Sequence, residues 1–465
     1  MSHLRALLVL WCLRLAVAPA AAQPVELPAD VPVFASSLSE GETMIDAESV
    51  DQFSPIVLPA LEHLVKRAAM PLPAIRELPF SDHRDLLWAS QEESGSTSTP
   101  FPFPTVRDDS DADRALRIMR NGEAFWQNPP AFEAAMSYYR YRDGYEPNAL
   151  HLNLIRSSTT QQQPYTAGQL FRELISFDMP PGILPLQFLT IRFGDTTSDR
   201  VWEHSGPSGV RSLEPWLRQE RAAGGLFVLD DLFVHAASPA AYDYGEVLSA
   251  IQLVPFSGIS QQQFTEDPNG CVTMTQDRQI PQFNTFSKRF ARANGWTPTE
   301  LVFVPRRVFV IKAFPKSPHP GEAESTIVVD RETMLPVMKV VRSDSGSLLR
   351  VVLGGMTLVR TKAGLVLPFV RQVVAITGGA REVDAISFDE VRRCGSDRAV
   401  ALRSQLDTRA LLKAVKEPES SGYNTDVKKE VLPSQKEMKS SRASTQSAAS
   451  SEQSRRELKD EASVD

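Results

Sequence analysis

The sequence predicts a β-rich α+β protein built on a large antiparallel sheet. The main evidence lies in residues 300–376, where Val- and Ile-rich runs alternate with short polar turns. β-branched residues favour the half-buried surface of a pleated sheet. Turns this short join antiparallel neighbours, because parallel strands need crossovers of about a dozen residues or more. A strand–turn–strand pattern over residues 188–214 predicts a further hairpin of the same kind.

Individual elements follow from local patterns. We expect strands over residues 301–314, 325–330, 335–342, 348–359, 365–376 and 383–391. Apolar residues recur at roughly helical spacing in residues 47–67, which predicts a helix interrupted by Pro55 and Pro59. Residues 130–141 are expected to be helical or mixed, and a short helix is expected within residues 401–417.

The N-terminus has the pattern of a secretory signal peptide. Arg5 supplies a positive charge, residues 7–17 are mostly apolar, and the small residues 20–22 offer a cleavage site near Ala22. Later in the chain we find no uninterrupted apolar run of the ~20 residues that a spanning helix needs. The pattern therefore predicts an exported, periplasmic protein.

Composition divides the chain into five predicted segments. The last one contains no Phe, Trp or Ile, so it cannot bury enough apolar surface to offset the entropy of ordering it. The segments are the signal peptide (1–22), a helical or irregular N-terminal part (23–112), the sheet domain (113–400), the short helix (401–417) and a disordered tail (418–465).

The net charge of the chain argues against nucleic acid as a partner. The chain carries 50 Lys and Arg against 57 Asp and Glu, a formal net charge of −7. A mildly acidic surface offers no attraction to a phosphate backbone.

Catalytic and cofactor motifs are not found in the sequence. It has no nucleophile elbow, zinc-protease helix, P-loop or dinucleotide fingerprint, so we expect no enzyme activity, no metal and no cofactor. A hydrolase would need a carboxylate or Ser–His pair, for which His204, His235 and Asp231 are the places to look. Asp231 and its neighbour Asp230 are more simply explained as a turn, a cap or partners for arginine.

Two cysteines remain after export, Cys271 and Cys394. The exported compartment is oxidising, so they form either a disulfide bond or two separate buried thiols. The sequence leaves both interpretations open.

Aromatic residues are spread through the predicted strands. They either form the core of the sheet or line an apolar cavity, because a large curved sheet can enclose a ligand. The candidate ligand-binding residues are Phe188, Trp202, Phe227, Phe303, Phe309 and Phe369.

Several segments between residues 41 and 391 carry a family resemblance. They are GETMIDA (41–47), LEHLVKR (61–67), DRVW (199–202), LDDL (229–232), RRVFVI (306–311) and IVVDRETMLPV (327–337). In this order they resemble an exported family of unknown function that is grouped with the periplasmic carriers of outer-membrane lipoproteins.

The resemblance implies an open, strongly curved antiparallel sheet, a half-barrel with helices packed against it. It further implies non-catalytic binding of a lipid or acyl chain in an apolar concave face, with a lipid or a lipidated protein as partner. The alternatives are an accessory subunit that docks to membrane proteins of an envelope export system for lipids or small molecules, and an envelope hydrolase.

Overall fold

The structure is a computed structural model that describes residues 42–68, 70, 72–75, 110–127, 129–142, 145–159, 168–178, 186–194, 199–205, 209–213, 226–257, 264–275, 301–316, 321–360, 366–379 and 382–407. All of these belong to the unit Met1–Lys416. The predicted signal peptide, the predicted tail and residues 408–417 of the predicted short helix lie outside the described residues.

The strands of the described residues form a 17-stranded sheet. Their bounds are β1 Glu42–Ile45, β2 Leu72–Ile75, β3 Ala131–Arg142, β4 Tyr145–Ser158, β5 Gln169–Asp178, β6 Leu186–Phe193, β7 Arg200–Ser205, β8 Val210–Leu213, β9 Tyr242–Ser257, β10 Phe264–Glu266, β11 Val272–Thr275, β12 Leu301–Pro315, β13 Glu324–Asp330, β14 Pro336–Arg342, β15 Leu348–Arg360, β16 Val366–Thr377 and β17 Glu382–Cys394.

Helices are few in this part of the chain. The α-helices are α1 Pro59–Ala68, α2 Asp111–Trp126 and α3 Ser396–Leu402. Short 3₁₀ turns lie at Val50–Phe53, Leu229–Asp231, Pro239–Ala241 and Arg403–Gln405.

The sheet is antiparallel along its main run, as predicted. Neighbouring strands follow the order β9, β12, β13, β14, β15, β16, β17, β3, β4, β5, β6, β7, β8. The strands β10 and β11 continue the ladder on β17 beyond the end of β16. The pair β1–β2 joins β12 through one parallel contact, Phe303 with Ala74.

The sheet curves strongly around α2. Successive residues of this helix, Gly122 and Glu123, reach opposite parts of the sheet. A Cβ atom on Gly122 would overlap the carbonyl oxygen of Met334 in the turn before β14, whereas Glu123 accepts a hydrogen bond from Arg192 on β6 at 2.8 Å. In a flat sheet, β14 and β6 would lie about 34 Å apart, since seven ladder steps of ~4.8 Å separate them. The side that faces α2 is therefore concave, and the prediction of an open, strongly curved sheet is confirmed.

Two helices pack against the sheet over part of its area. Ala115, Ile118 and Met119 of α2 pack onto β9, β12 and β13 on the concave side. Leu61 and Leu64 of α1 belong to the main hydrophobic cluster, which extends through β14, β15, β16 and β17. The polypeptide itself thus fills most of the interior with its own side chains.

Three local predictions differ from the structure. Residues 47–67 form a 3₁₀ turn and then α1, which begins at Pro59, because Pro is tolerated only in the first turn of a helix. Residues 130–141 are not helical but form β3, whose buried Phe132, Ala134, Met136 and Tyr138 share one face with the period of two of a strand. The described helix near the C-terminus, α3, spans Ser396–Leu402 and overlaps only the beginning of the predicted range 401–417, of which residues 408–417 lie outside the described residues.

Candidate ligand-binding site

The segment between β8 and β9 is anchored to the concave side of the sheet by Asp231. The Oδ1 atom of Asp231 accepts a hydrogen bond from Nζ of Lys339 at 2.8 Å, and Oδ2 accepts one from Nε of Arg350 at 2.9 Å. Arg350 also pairs with Glu322. Burial opposes ionisation of Asp231, but Arg350 and Lys339 hold its pKa below the usual value. Asp231 is therefore an ion-pair anchor, and its geometry is not that of an acid–base catalyst.

A strained turn follows this anchor. Phe233 has φ 55° and Val234 has φ 73°, a region that non-glycine residues rarely adopt and that is a clear outlier for β-branched Val. Such conformations cost roughly 1–3 kcal/mol each and persist only where the surroundings impose them. Gly354 on β15 leaves the space for Val234, since a Cβ at Gly354 would overlap the Val234 side chain.

The turn places the Phe233 ring in an aromatic cluster under α2. Its centroid lies 4.8 Å from the Trp126 ring and 5.5 Å from the Phe132 ring. The guanidinium of Arg156 on β4 lies 5.2 Å from the Phe233 centroid and 4.5 Å from that of Phe171. Cations over aromatic faces are attracted by the ring quadrupole, so these contacts fix the guanidinium and the ring together.

Two buried arginines are paired with carboxylates beside this cluster. Nη2 of Arg192 donates to Asp199 at 2.8 Å and to the backbone oxygen of Ala236 at 2.7 Å, and Nη1 donates to Glu123. Arg156 donates from Nε to Glu173 at 2.9 Å. Burial raises the pKa of Glu123, although the positive charge of Arg192 counteracts this.

A small cavity lies between α2, the strained turn and these arginines. The space open to the centre of a water molecule is about 30 Å³. Three aromatic side chains line it, Trp126, Phe171 and Phe233, together with apolar residues such as Met119. Its polar lining residues are Glu123, Arg156, Arg192 and His235. Apolar walls with a few convergent polar groups are typical of ligand sites in proteins.

His235 is the polar group of the cavity that has no partner. It is 7% exposed, and within the described part of the chain neither Nδ1 nor Nε2 has a hydrogen-bond partner. Its ring contacts Tyr242 edge to face at 5.1 Å between centroids. Burial and the nearby Lys339 lower the pKa of His235 to about 3, so the ring is neutral at physiological pH.

The aromatic residues proposed from the sequence are divided among three hydrophobic clusters. Phe227, Phe303 and Phe369 are buried in the main cluster, and Phe188 lies at its margin, 6.2 Å from the Phe177 ring. Phe309 packs under α2, and Trp202 packs near α3 in a separate cluster. None of these six residues lines the cavity at His235.

Sequence reasoning missed most of the cavity. The sequence-based candidates include His235, for hydrolysis, but not Arg156, Phe171 or Phe233. The sequence does contain one signal, an arginine within each of two apolar strands, Arg156 and Arg192. Charged residues in such strands are buried only when they are paired, so each arginine indicates a buried carboxylate nearby.

The geometry does not support the hydrolase alternative at the residues proposed for it. Neither Asp231 nor His204 is hydrogen-bonded to His235 in the described structure. A Ser–His contact exists elsewhere, where Ser137 Oγ lies 3.1 Å from His151 Nδ1 and donates to Asp389 at 2.6 Å. Ser137 is 1% exposed, so its hydroxyl group is closed to substrate.

The two cysteines form a disulfide bond. It joins Cys271, just before β11, to Cys394 at the end of β17, across a sequence separation of 123 residues. The bond fixes the short β10–β11 pair to the sheet.

The described helices are short, and the described acidic, histidine and cysteine side chains are dispersed. None of these described helices has the length and apolar character needed to cross a membrane. Within the ranges given above, His, Cys, Asp and Glu do not gather in groups of three or more that could hold a metal ion.

Comparison with known proteins gives matches among solved structures. No protein-family model and no curated protein matches the sequence. An outer-membrane lipoprotein-sorting protein domain from Vibrio parahaemolyticus covers 64% of this chain and 97% of its own, with 12% identity and TM-score 0.41. A DUF1329 family protein from Desulfovibrio piger covers 65% and 100%, with 10% identity and TM-score 0.40.

A third solved structure is a LolA superfamily protein from Nitrosomonas europaea. It covers 61% of this chain and 96% of its own, with 11% identity and TM-score 0.34. The first is named for lipoprotein sorting and the third for the LolA superfamily, and both names belong to the group of proteins that the sequence resembles.

Proposed function

We propose that this is a non-catalytic periplasmic protein that binds a lipid or acyl chain on the concave face of its sheet. The observation that carries the proposal is the aromatic-walled cavity between α2 and the turn at Phe233. Burial of a chain contributes about 0.8 kcal/mol per CH₂, so a modest number of methylenes supports micromolar binding.

Binding a chain requires the cavity to widen. Its present space of about 30 Å³ is smaller than the ~150 Å³ cavity that holds benzene in a protein core. The turn at Phe233 and Val234 is the part best suited to move, because its strain is released when it opens. The site is thus closed in the form described, and the ligand takes the place of protein side chains.

The first test is native mass spectrometry of the mature protein purified gently from the periplasm, followed by lipid extraction. We expect a co-purifying lipid at defined stoichiometry. Ala236 lines the cavity and is half-buried, so Ala236→Phe should block binding without overfilling the core. Ala240→Phe in the next 3₁₀ turn is the matched control. An apo mass that takes up neither added phospholipid nor fatty acid rejects the proposal.

A second candidate is docking to an envelope protein through β9. Leu248 on β9 and Phe314 on β12 are 50% and 39% exposed, the two large hydrophobic residues with the highest exposure in the described ranges. They flank the ion pair of Lys312 with Glu246 on the same two strands. Exposed apolar residues near a sheet edge are typical of protein contacts.

The docking candidate has its own test. The double variant Leu248→Lys/Phe314→Lys should abolish cross-linking to envelope proteins in cells and leave lipid binding unchanged. Unchanged cross-linking rejects docking through this surface. The control is Glu246→Lys, which alters the charge of the same strip and leaves both apolar side chains in place.

A further inference from the structure

The charges around the cavity leave no surplus positive charge for an anion. Arg192 is paired with Asp199 and Glu123, and Arg156 is paired with Glu173. The two arginines that line the cavity therefore face three carboxylates, and Arg393, 5.7 Å from the centroid of the Trp126 ring, adds one buried positive charge, so the sum is 0 when all are ionised. A carboxylate or phosphate ligand would be buried beside arginines that are already paired, and burying a charge without a partner of its own is costly. Each guanidinium already lies over the Phe171 ring, so the faces of this ring are not available to a cationic ligand either.

The two ring nitrogens of the histidine in the cavity have opposite requirements, one for an acceptor and the other for a donor. A neutral imidazole has one N–H donor and one bare nitrogen acceptor, and both nitrogens of His235 lack partners in the described structure. Burial disfavours protonation of the ring most strongly; of the nearby charges, Lys339 and Arg192 also disfavour it, whereas Asp230 and Asp231 favour it. Burying such a ring without hydrogen bonds is costly, so a ligand that satisfies one of its nitrogens gains affinity.

A hydroxyl group suits whichever ring nitrogen faces the cavity, because it can donate to the bare nitrogen or accept from the N–H; one hydroxyl reaches only one of the two, since their bonding directions diverge. It donates and accepts, it is neutral, and with its carbon it is about the size of the two water molecules that ~30 Å³ admits. The walls of Trp126, Phe171 and Phe233 suit an apolar chain attached to it.

We infer that the cavity at His235 selects neutral amphiphiles that carry a hydroxyl group, such as long-chain alcohols or acylglycerols, over fatty acids of the same chain length. The hydroxyl group bonds to His235 and the chain lies against the aromatic wall. This inference rests on the proposed function, because it names the class of chain that the site holds.

The test compares probes with one chain length, below their micelle concentrations, on the full mature protein. The probes are 1-dodecanol, dodecanoate, dodecylamine and dodecyl methyl ether, which accepts a hydrogen bond but cannot donate one. We expect 1-dodecanol to bind at least tenfold more tightly than each of the others by titration calorimetry. The variant His235→Leu should reduce this preference to twofold or less. The variant His235→Gln, which keeps a donor and an acceptor, should retain it.

His204→Leu is the matched control. His204 is also buried, at 1% exposure, but it lies on β7 and does not line the cavity, so its removal should leave the preference intact. If His235→Leu does not fold, the comparison of alcohol with ether on the unaltered protein decides the inference without a mutation.

The outcomes separate the two proposals. If no probe binds, the proposed function fails and the inference fails with it. If all four bind and dodecanoate or the ether equals the alcohol, chain binding stands and the inference is overturned, since water then satisfies His235. If the preference persists in His235→Leu, the inference is also overturned, because another group recognises the hydroxyl.

Discussion

The ammonium group of Lys339 lies 2.8 Å from Oδ1 of Asp231 in the interior, where the two side chains are 1% and 0% exposed. Arg350 holds the second oxygen of the same carboxylate. Three charges are thus buried together, which is tolerated only because each is paired. The cluster ties β14 and β15 to the segment that carries Phe233 and His235, so it positions the candidate site.

Removing the shared carboxylate should be strongly destabilising. Asp231→Ala leaves Lys339 and Arg350 buried beside an empty space, for which we expect a loss of about 3–5 kcal/mol in the free energy of unfolding. Urea denaturation measures it. The control is Glu246→Ala, whose partner Lys312 is 46% exposed; such surface pairs contribute about 0–1 kcal/mol. Equal effects of the two substitutions would contradict the anchoring role of Asp231.

The strands from β12 to β16 could be predicted because their signals are local. The predicted ranges 301–314 and 325–330 differ by one residue from β12 and β13. Val- and Ile-rich runs joined by short turns strongly favour antiparallel strands in this region. The fold class follows from such elements together with the family resemblance.

The cavity could not be predicted in this way. Its groups come from α2, β4, β6 and the turn at Phe233, and Glu123 and Arg192 are 69 residues apart in sequence. Contacts of this kind depend on the curvature of the whole sheet, which no local pattern reports. The strand β3 was missed for a related reason, because pairing with β17 and β4 decides the conformation of an Ala- and Tyr-rich segment.

Acidification should lower the stability of the folded protein, because His235 is buried in its neutral form. Its pKa is about 3 in the folded protein against 6.5 for an ordinary histidine. Between these values the unfolded chain binds more protons, so stability falls as the pH falls from 6.5 towards 3, by up to about 1.4 kcal/mol per pH unit. Asp231, whose pKa is lowered, contributes stability above pH ~4 that is lost only below it.

The variant His235→Leu isolates this effect. Burial raises the pKa values of Glu123 and Asp384, and these two groups contribute equally to the pH dependence of stability in the variant and in the unaltered protein. Urea denaturation between pH 7 and 4.5 should therefore show a flatter pH dependence for the variant. A parallel course of the two curves would mean that His235 is hydrated and ordinary in the folded protein.

The close approach of α2 to the β13–β14 turn should not tolerate a methyl group. A Cβ at Gly122 would overlap the backbone oxygen of Met334, which cannot rotate away as a side chain could. We expect Gly122→Ala to cost about 1–3 kcal/mol through overpacking, despite the better helix propensity of Ala. Gly379→Ala is the control, since no atom lies within 4 Å of its added Cβ. Thermal unfolding of both variants measures the difference, and a neutral Gly122→Ala would show that α2 can shift outwards freely.

The disulfide bond should carry much of the stability of the β10–β11 pair. The strand β11 is held to β17 by a ladder of four residue pairs, from Val272 with Arg393 to Thr275 with Glu390. Closing a loop with a sequence separation of 123 residues stabilises the folded state by about 4–5 kcal/mol on the chain-entropy model. We expect Cys271→Ser/Cys394→Ser to lower the free energy of unfolding by about this amount, and the buried serine hydroxyl groups beside α3 add to the loss.

Hydrogen exchange distinguishes a local from a global effect of this variant. The amides of β11 should lose protection first. Without the disulfide bond, the ladder of four residue pairs is a weak attachment of β11 to β17. The unaltered protein treated with a reductant should behave like the double variant. If the reduced protein keeps full protection in β11, the ladder and the packing of Val272 and Met274 suffice without the covalent bond.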